Sequence, residues 1–226
     1  MHYNRVAMSR RSYKQICGVA RALDLLGERW TLLIVRELML GPKRFGAIKD
    51  ALPGISANLL SARLTALAEA GIVERVELPA PASVEAYALT PRGEALRPSM
   101  ESLALWGFQL LDPENELAQG WQARASWLTA TLAAAAVPAD LVDLDGRSFG
   151  FDIDGDRFTV RIDNGVARVR HGALDEPDSE LATDLQNYAR LARGEAKAAD
   201  PLLRELFAAL AAGAADPVLA GGNGSE

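Results

Sequence analysis

One cysteine and two histidines in 226 residues set the first limits on this chain. Cys17 cannot close a disulfide within the chain, which fits a reducing cytoplasm. His2 and His171 stand far apart, no cluster has metal-ligand spacing, and no glycine-rich phosphate loop opens a helix. No catalytic residue, metal or cofactor is therefore expected. Apolar runs fall short of the roughly 18 residues that a membrane span needs, and Met1-His2-Tyr3-Asn4-Arg5 has no apolar stretch behind its charges. Neither membrane association nor export is expected. Asp152, Asp154 and Asp156 alternate like the start of a calcium loop, but the later ligands and the terminal Glu are missing, so they read as a solvated face.

The chain does have enough apolar residues, 49%, to bury a real core, and a charge that is divided unevenly. The net charge of −6 argues at first against a nucleic-acid partner. Yet residues 1–66 hold eleven Lys and Arg against four Asp and Glu, whereas residues 111–226 hold ten against twenty. Such asymmetry implies two domains with different partners.

The first basic segment runs from Arg5, Arg10, Arg11 and Lys14, a candidate phosphate-touching arm, into a helix expected over Tyr13 to Leu26 with Ile16, Ala20, Leu23 and Leu26 on one stripe. Trp30 to Leu40 is apolar almost all round and belongs at the centre of a core, and Gly41-Pro42 stops it. Phe45, Ile48 and Leu52 then share one face of a two-turn helix ended by Pro53-Gly54. Residues 54–71 form the next helix: Ser56 stands as N-cap, Gly71 as the left-handed C-terminal residue, and Leu60, Leu64 and Leu67 form the inner stripe. Asn58, Ser61 and Thr65 gather on the opposite side. Short hydrogen-bonding side chains on an open helix face suit the major groove, although most such faces are merely solvated.

The segment after Gly71 decides between those readings. Ile72 to Leu78 alternates as a strand, Pro79-Ala80-Pro81 turns, Glu85 to Leu89 returns, and Thr90-Pro91 can cap and begin a further helix. Two helices across a tight turn with a hairpin behind them make a winged helix-turn-helix. The residues that carry it, Cys17, Ala22-Leu23-Asp24-Leu25-Leu26-Gly27, Trp30-Thr31-Leu32-Leu33-Ile34, Gly41-Pro42, Arg44-Phe45, Leu52-Pro53-Gly54-Ile55-Ser56, Leu60-Ser61, Arg63-Leu64, Leu67, Gly71-Ile72-Val73, Tyr87, Leu89-Thr90-Pro91 and Gly93, closely resemble the HxlR family of bacterial regulators. The resemblance covers roughly residues 13–110. It implies a homodimeric transcription regulator whose two reading helices enter successive major grooves of double-stranded DNA.

The family usually places an Arg near the wing tip, where Ala82-Ser83-Val84-Glu85-Ala86 here has no cation. Affinity is therefore assigned to Lys43, Arg44, Lys49 and Arg63, with Arg75 and Arg92 as the nearest wing substitutes, and base reading to Asn58, Ser61 and Thr65. Ser56 joins the DNA-facing set from the cap. Arg63 is equally suited to an acidic neighbour within the domain. The resemblance also implies a redox-sensor reading of Cys17, near Lys14 and Arg21, against that of a half-buried small residue on a dimer-forming helix. A longer helix from Gly93, with Leu96, Met100, Leu103, Gly107 and Leu110 at heptad spacing, is expected to pair with a second subunit or to pack on its own domain.

The expected boundaries are a DNA-binding and dimerisation domain over 1–112, a linker over 113–120, an α+β domain over 121–215 and a disordered tail over 216–226. In the second domain a helix over Trp121 to Ala136 leads into an antiparallel meander. Its turns are Asp145-Gly146, Asp154-Gly155 and Asn164-Gly165, and its strands are 149–153 and 158–162. Helical stretches over Ser179 to Arg193 and Pro201 to Ala212 would cover it. Phe151-Asp152-Ile153-Asp154-Gly155-Asp156, Glu180-Leu181-Ala182-Thr183-Asp184 and Leu191-Ala192-Arg193-Gly194 make this half resemble the sterol-carrier-protein-like fold. That implies an apolar tunnel lined by Phe149, Phe151, Phe158 and Val160 for an apolar small-molecule effector. Without the resemblance those four are ordinary core residues. A reading from a different class stays open: a lipid or acyl carrier whose N-terminal domain serves only to dimerise.

Overall fold

The computed structural model describes residues 12–78, 84–173 and 175–214, which divide into two compact units, Met1–Met100 and Glu101–Glu226. Arg5, Arg10 and Arg11 of the expected arm, the wing turn at Pro79-Ala80-Pro81 and the tail after Asp216 lie outside the described residues.

The first unit holds α1 (Gly18–Leu26), α2 (Thr31–Met39), α3 (Phe45–Ala51), α4 (Ala57–Glu69), the hairpin β1 (Val73–Glu77) and β2 (Glu85–Leu89), and the single turn α5 (Pro91–Glu94). The next helix, α6 (Arg97–Phe108), runs across the division between the units. Ile34 and Leu38 from α2, Ile48 from α3, Leu60, Leu64 and Leu67 from α4, and Ile72, Val73 and Leu89 at the hairpin base bury one another in a single cluster. Each such burial contributes about 1.5–3 kcal/mol.

Both ends of α4 are closed by local chemistry. The Leu59 N–H donates to Ser56 Oγ at 3.2 Å. At the other end Gly71 takes φ +68°, and the N–H groups of Gly71 and Ile72 reach back to the carbonyls of Ala68 and Leu67, both at 2.9 Å. Thr90 then ties this end to the next helix: its hydroxyl donates to the Gly71 carbonyl at 2.7 Å and accepts from the Gly93 N–H at 3.1 Å. A Cβ on Gly93 would lie 2.2 Å from the Ile72 carbonyl oxygen, so the close approach excludes any side chain there.

Two expectations for this unit need correction. Helix α1 begins at Gly18, not Tyr13. The Asp24 carboxylate accepts from Ser12 Oγ at 2.8 Å and from the Tyr13 N–H at 2.9 Å, which holds residues 12 and 13 against the helix instead of at its start. Those bonds, the Tyr13 N–H first, hold the Asp24 carboxyl below the usual carboxylate range. Ala20 and Leu26 are buried as the stripe requires, but Ile16 and Leu23 are exposed. The long helix from Gly93 is in fact α5 and α6, broken at Ala95-Leu96. Pro98 has no N–H to offer the Glu94 carbonyl, and its ring would crowd that group.

The second unit contains α7 (Pro113–Ala118), α8 (Ala125–Ala135), a 3-10 turn (Pro138–Leu144), β3 (Ser148–Ile153), β4 (Asp156–Asp163), β5 (Val166–His171), β6 (Ser179–Thr183), α9 (Leu185–Ala192) and α10 (Pro201–Ala214). The sheet order is β5-β4-β3-β6, antiparallel except that β6 runs parallel to β3. Asp154-Gly155 and Asn164-Gly165 turn the hairpins with positive φ at both residues, as a primed turn requires. One sheet face presents Phe149, Phe151, Ile153, Phe158, Val160 and Ile162, all buried with Tyr188 of α9 and Leu206, Phe207 and Leu210 of α10.

Four expectations change here. Residues 113–118, expected as linker, are helical, with Asp112 capping the Asn115 N–H. Helix α8 begins at Ala125 and leaves Trp121 58% exposed before it. Residues 179–183, expected as helix, are a strand whose backbone partners lie on β3; the helix begins only after Asp184, which caps the Asn187 N–H at 2.7 Å. Asp145-Gly146 closes the 3-10 turn instead of a hairpin. The three alternating aspartates are not a merely solvated face either. Asp156 accepts the Ser126 N–H at 2.8 Å, Asp154 the Leu185 N–H at 2.9 Å, and Asp152 the Gly155 N–H at 3.1 Å, so each fastens a turn or helix start.

Candidate nucleic-acid interface

Helix α4 turns Leu60, Leu64 and Leu67 inward, and this alone forces Asn58, Ser61 and Thr65 outward. All three are exposed, and Ala57 and Ala62 beside them keep the face low. An uncharged, shallow face with hydroxyl and amide groups can approach base edges closely and exchange hydrogen bonds with them. Ser56, at the entrance to the helix, has its Oγ engaged by the Leu59 N–H, so its work is first that of a cap.

The cations on and around the preceding helix, α3, differ in what they touch. Arg44 is the N-cap residue of α3 and Lys49 lies in its last turn; both are exposed and neither makes an ion pair among the described residues. Lys43 is different and must be removed from the phosphate-contacting set. It is 7% exposed, its Nζ lies 2.5 Å from Glu37 Oε2, and Glu37 is 0% exposed with Arg36 on its other oxygen at 2.8 Å. The Lys43 backbone also exchanges both hydrogen bonds with Tyr87, at 2.9 and 2.8 Å, which joins the turn before α3 to the base of the wing. Lys43 thus neutralises a buried carboxylate and positions the wing. Glu37 was the residue that sequence reasoning missed, and a signal existed: the one acid of a largely apolar helix must find cations when buried.

Arg63 takes the intramolecular alternative. Its Nη2 donates to Glu28 at 2.8 Å and its Nε to the Arg29 carbonyl at 3.3 Å, bracing α4 against the start of α2. Arg75 on β1 pairs with Glu85 across the hairpin at 3.2 Å and lies 5.7 Å from the centre of the Tyr87 ring. Both members of that pair are well exposed, so it costs little to exchange Glu85 for another anion. Arg92 is exposed at the start of α5.

Cys17 is exposed, immediately before α1. Of the cations expected around it, Arg21 is drawn to Asp24 at 3.5 Å. Apolar side chains also face outward: Val19 and Leu23 on α1, and Leu103 and Trp106 on α6, the last 62% exposed.

The four residues expected to line a tunnel, Phe149, Phe151, Phe158 and Val160, instead pack on each other and on the helices. The Phe151 and Phe158 rings stack at 4.8 Å, with Tyr188 and Phe207 edge-on, and the Tyr188 hydroxyl meets that of Thr129. Burial drives the Tyr188 phenol well above its usual pKa. A cleft of about 300 Å³ opens elsewhere, lined by Gly150, Asp152, Arg157, Ala173, Glu180 and Ala182, and of the four only Phe151 reaches it. Among the described residues no group of three or more His, Cys, Asp or Glu could hold a metal ion, and no single helix is long and apolar enough to cross a membrane.

A family model described as HxlR-like helix-turn-helix matches residues 25–115. The uncharacterised HTH-type transcriptional regulator YvaP of Bacillus subtilis is 40% identical over 94 residues, 41% of this chain and 86% of that protein. The HTH-type transcriptional regulator YodB of the same organism is 39% identical over 98 residues, 43% of this chain and 88% of its own length. A solved structure of the reduced form of YodB aligns with 39% identity over 44% of this chain and 98% of that one, with a TM-score of 0.38. Each of these relatives covers less than half of this chain.

Proposed function

The chain belongs to the HxlR-like helix-turn-helix family, and from that premise we propose that it is a DNA-binding transcription regulator that works as a homodimer. The observation that carries the proposal is α4 itself: closed at both ends, with Asn58, Ser61 and Thr65 exposed on an uncharged face, and preceded by α3, where Arg44 and Lys49 are exposed without an ion pair among the described residues. Base reading falls to those three side chains. Phosphate holding falls to Arg44 and Lys49, with Arg75 and Arg92 contributing from the hairpin and α5, and Arg63 acting through the orientation of α4. The exposed Val19 and Leu23 of α1, and separately the exposed Leu103 and Trp106 of α6, support self-association, since exposed apolar side chains on a helix can be covered by a second copy.

For the second unit we propose a sterol-carrier-like layer that takes a small effector. A four-stranded sheet with helices over one aromatic face supports the layer, and the open cleft at Gly150, Asp152 and Glu180 supports the ligand site, in place of the packed Phe core. A cleft of this size suits a small molecule. The exposed position of Cys17 supports an oxidant-responsive role; Cys17→Ser should then abolish oxidant-dependent loss of DNA binding, and a variant that still responds ends that role.

Selection of bound fragments from genomic DNA, followed by titration of the chosen site, tests the regulator reading. Asn58→Ala should weaken discrimination between the selected site and random sequence by about 1–3 kcal/mol, with little change in stability. Absence of salt-dependent DNA binding by the full chain at low ionic strength would refute the reading.

A further inference from the structure

The second unit is acidic as a whole, yet its cations are not spread evenly over it. On the side away from its aromatic core, β4 presents Arg157, Thr159, Arg161 and, at its end, Asp163, and β5 presents Val166, Arg168 and Arg170. These are the alternate residues of two neighbouring strands whose inward set is Phe158, Val160, Ile162, Ala167 and Val169. The register sets Arg161 directly opposite Arg168, and Arg170 opposite Thr159. Arg157 is drawn to Asp152 at 2.8 Å and Arg161 to Asp163 at 3.3 Å, whereas Arg168 and Arg170 make no ion pair among the described residues.

Like charges directly opposite on a sheet cost stability. Beyond residue 110 the chain has twice as many carboxylates as cations, so neutralising partners were plentiful. Arg168 and Arg170 are therefore left without an ion pair among the described residues, in the region where carboxylates are most plentiful. All four are Arg and none is Lys, which favours forked recognition of phosphate or carboxylate. Successive outward residues on one strand are about 6.7 Å apart, and the neighbouring strand adds a second row at about 4.8 Å.

The chemistry of the face narrows its partner. No aromatic side chain stands among the outward residues of β4 and β5, so it offers no platform on which single-stranded bases could stack. Val166 is its one large apolar residue, too little for insertion into a lipid surface or for the desolvated centre of a protein interface. What remains is a polyanion held from outside by charge and hydrogen bonds. The geometry points to a second DNA contact: the outward face of β4 and β5, centred on Arg168 and Arg170, holds the phosphate backbone of the duplex bound by the same chain. This rests on the DNA-binding reading of the first unit, which supplies the duplex and, through the covalent link, raises its local concentration. The acidic remainder of the unit repels DNA elsewhere, so this face sets how the unit meets the duplex.

The test uses the full chain and a random-sequence duplex, with affinity measured over a range of salt. Each lost phosphate contact lowers the slope of log affinity against log salt by about 0.9. Arg168→Ala with Arg170→Ala should lower the slope by about two per chain and weaken low-salt binding roughly tenfold, while Arg190→Ala, an exposed charge on α9, should leave the slope unchanged. Wild-type protein that does not bind the duplex defeats the first-unit reading itself. Wild-type binding whose slope falls with Lys49→Ala but not with the Arg168 and Arg170 pair overturns only this inference. An equal fall with Arg190→Ala would reduce the effect to net charge and overturn it too, as would an unchanged DNA slope with lost binding to anionic phospholipid vesicles. Circular dichroism of each variant shows that the fold is intact, which these exposed positions should permit.

Discussion

In the unit Met1–Met100 a cation is spent inside, Lys43 neutralising the buried Glu37, whereas in Glu101–Glu226 the Arg of β4 and β5 stand on the outside and the interior is aromatic. The basic unit holds the Lys43 side chain on Glu37 while the Lys43 backbone joins the turn before α3 to the wing, and it leaves Arg44 and Lys49 exposed without an ion pair among the described residues. The acidic unit needs no cation for its core, which Phe149, Phe151, Phe158, Tyr188 and Phe207 fill. Charge counted along a chain therefore does not say which of its cations stay exposed and unpaired.

The sharpest way to break this contrast is to empty each interior in turn. Phe158→Ala should cost about 3–5 kcal/mol in the second unit and leave the salt slope contributed by Lys49 in place. Calorimetry that shows the first unit losing as much would mean that the two cores are not separate. Next comes the pair of lysines six residues apart. Lys43→Ala removes one of the two cations on the buried Glu37 carboxylate, Arg36 keeping the other oxygen, and should destabilise the first unit by about 1–3 kcal/mol. Lys49→Ala should stay within about 0.5 kcal/mol while lowering the salt slope by about 0.9. Denaturant titration and a salt series on both variants decide it; reversed results would return Lys43 to the phosphate-contacting set. The smallest effect is one of pH. Arg147, with the Ser148 backbone N–H and hydroxyl, holds the Asp178 carboxyl down at about 2. Because this folded-state value is depressed, its stabilisation is present above the ordinary value of 3.8 and is lost as pH falls through about 2. Asp178→Asn should remove that part of the acid dependence, and an unchanged acid limb in a stability profile would assign the dependence to other groups.

Elements closed by their own residues were legible in the chain. Ser56 and Gly71 bound α4, Thr90-Pro91 opens α5, and Asp154-Gly155 and Asn164-Gly165 turn the hairpins, because each of these works through atoms a few residues away. Elements decided by distant partners were not. Residues 179–183 carry no helix-forbidding residue, and only pairing with β3, thirty residues earlier, makes them a strand. The onset of α1 depends on Asp24 holding Ser12 and Tyr13. The roles of Lys43 and Arg63 were hidden for the same reason, since Glu37 and Glu28 become their partners only in the folded unit.

Helical period, capping chemistry and composition are properties of the chain, and they were enough to specify the winged helix-turn-helix, the outward set on α4 and the division of charge. Folding was needed to decide which cations are held by carboxylates, to pack Phe149, Phe151, Phe158 and Val160 as core instead of the tunnel lining that the resemblance implied, and to bring four Arg onto one sheet face. Charge pairing and strand register join residues far apart in the chain, and local pattern carries no record of that distance.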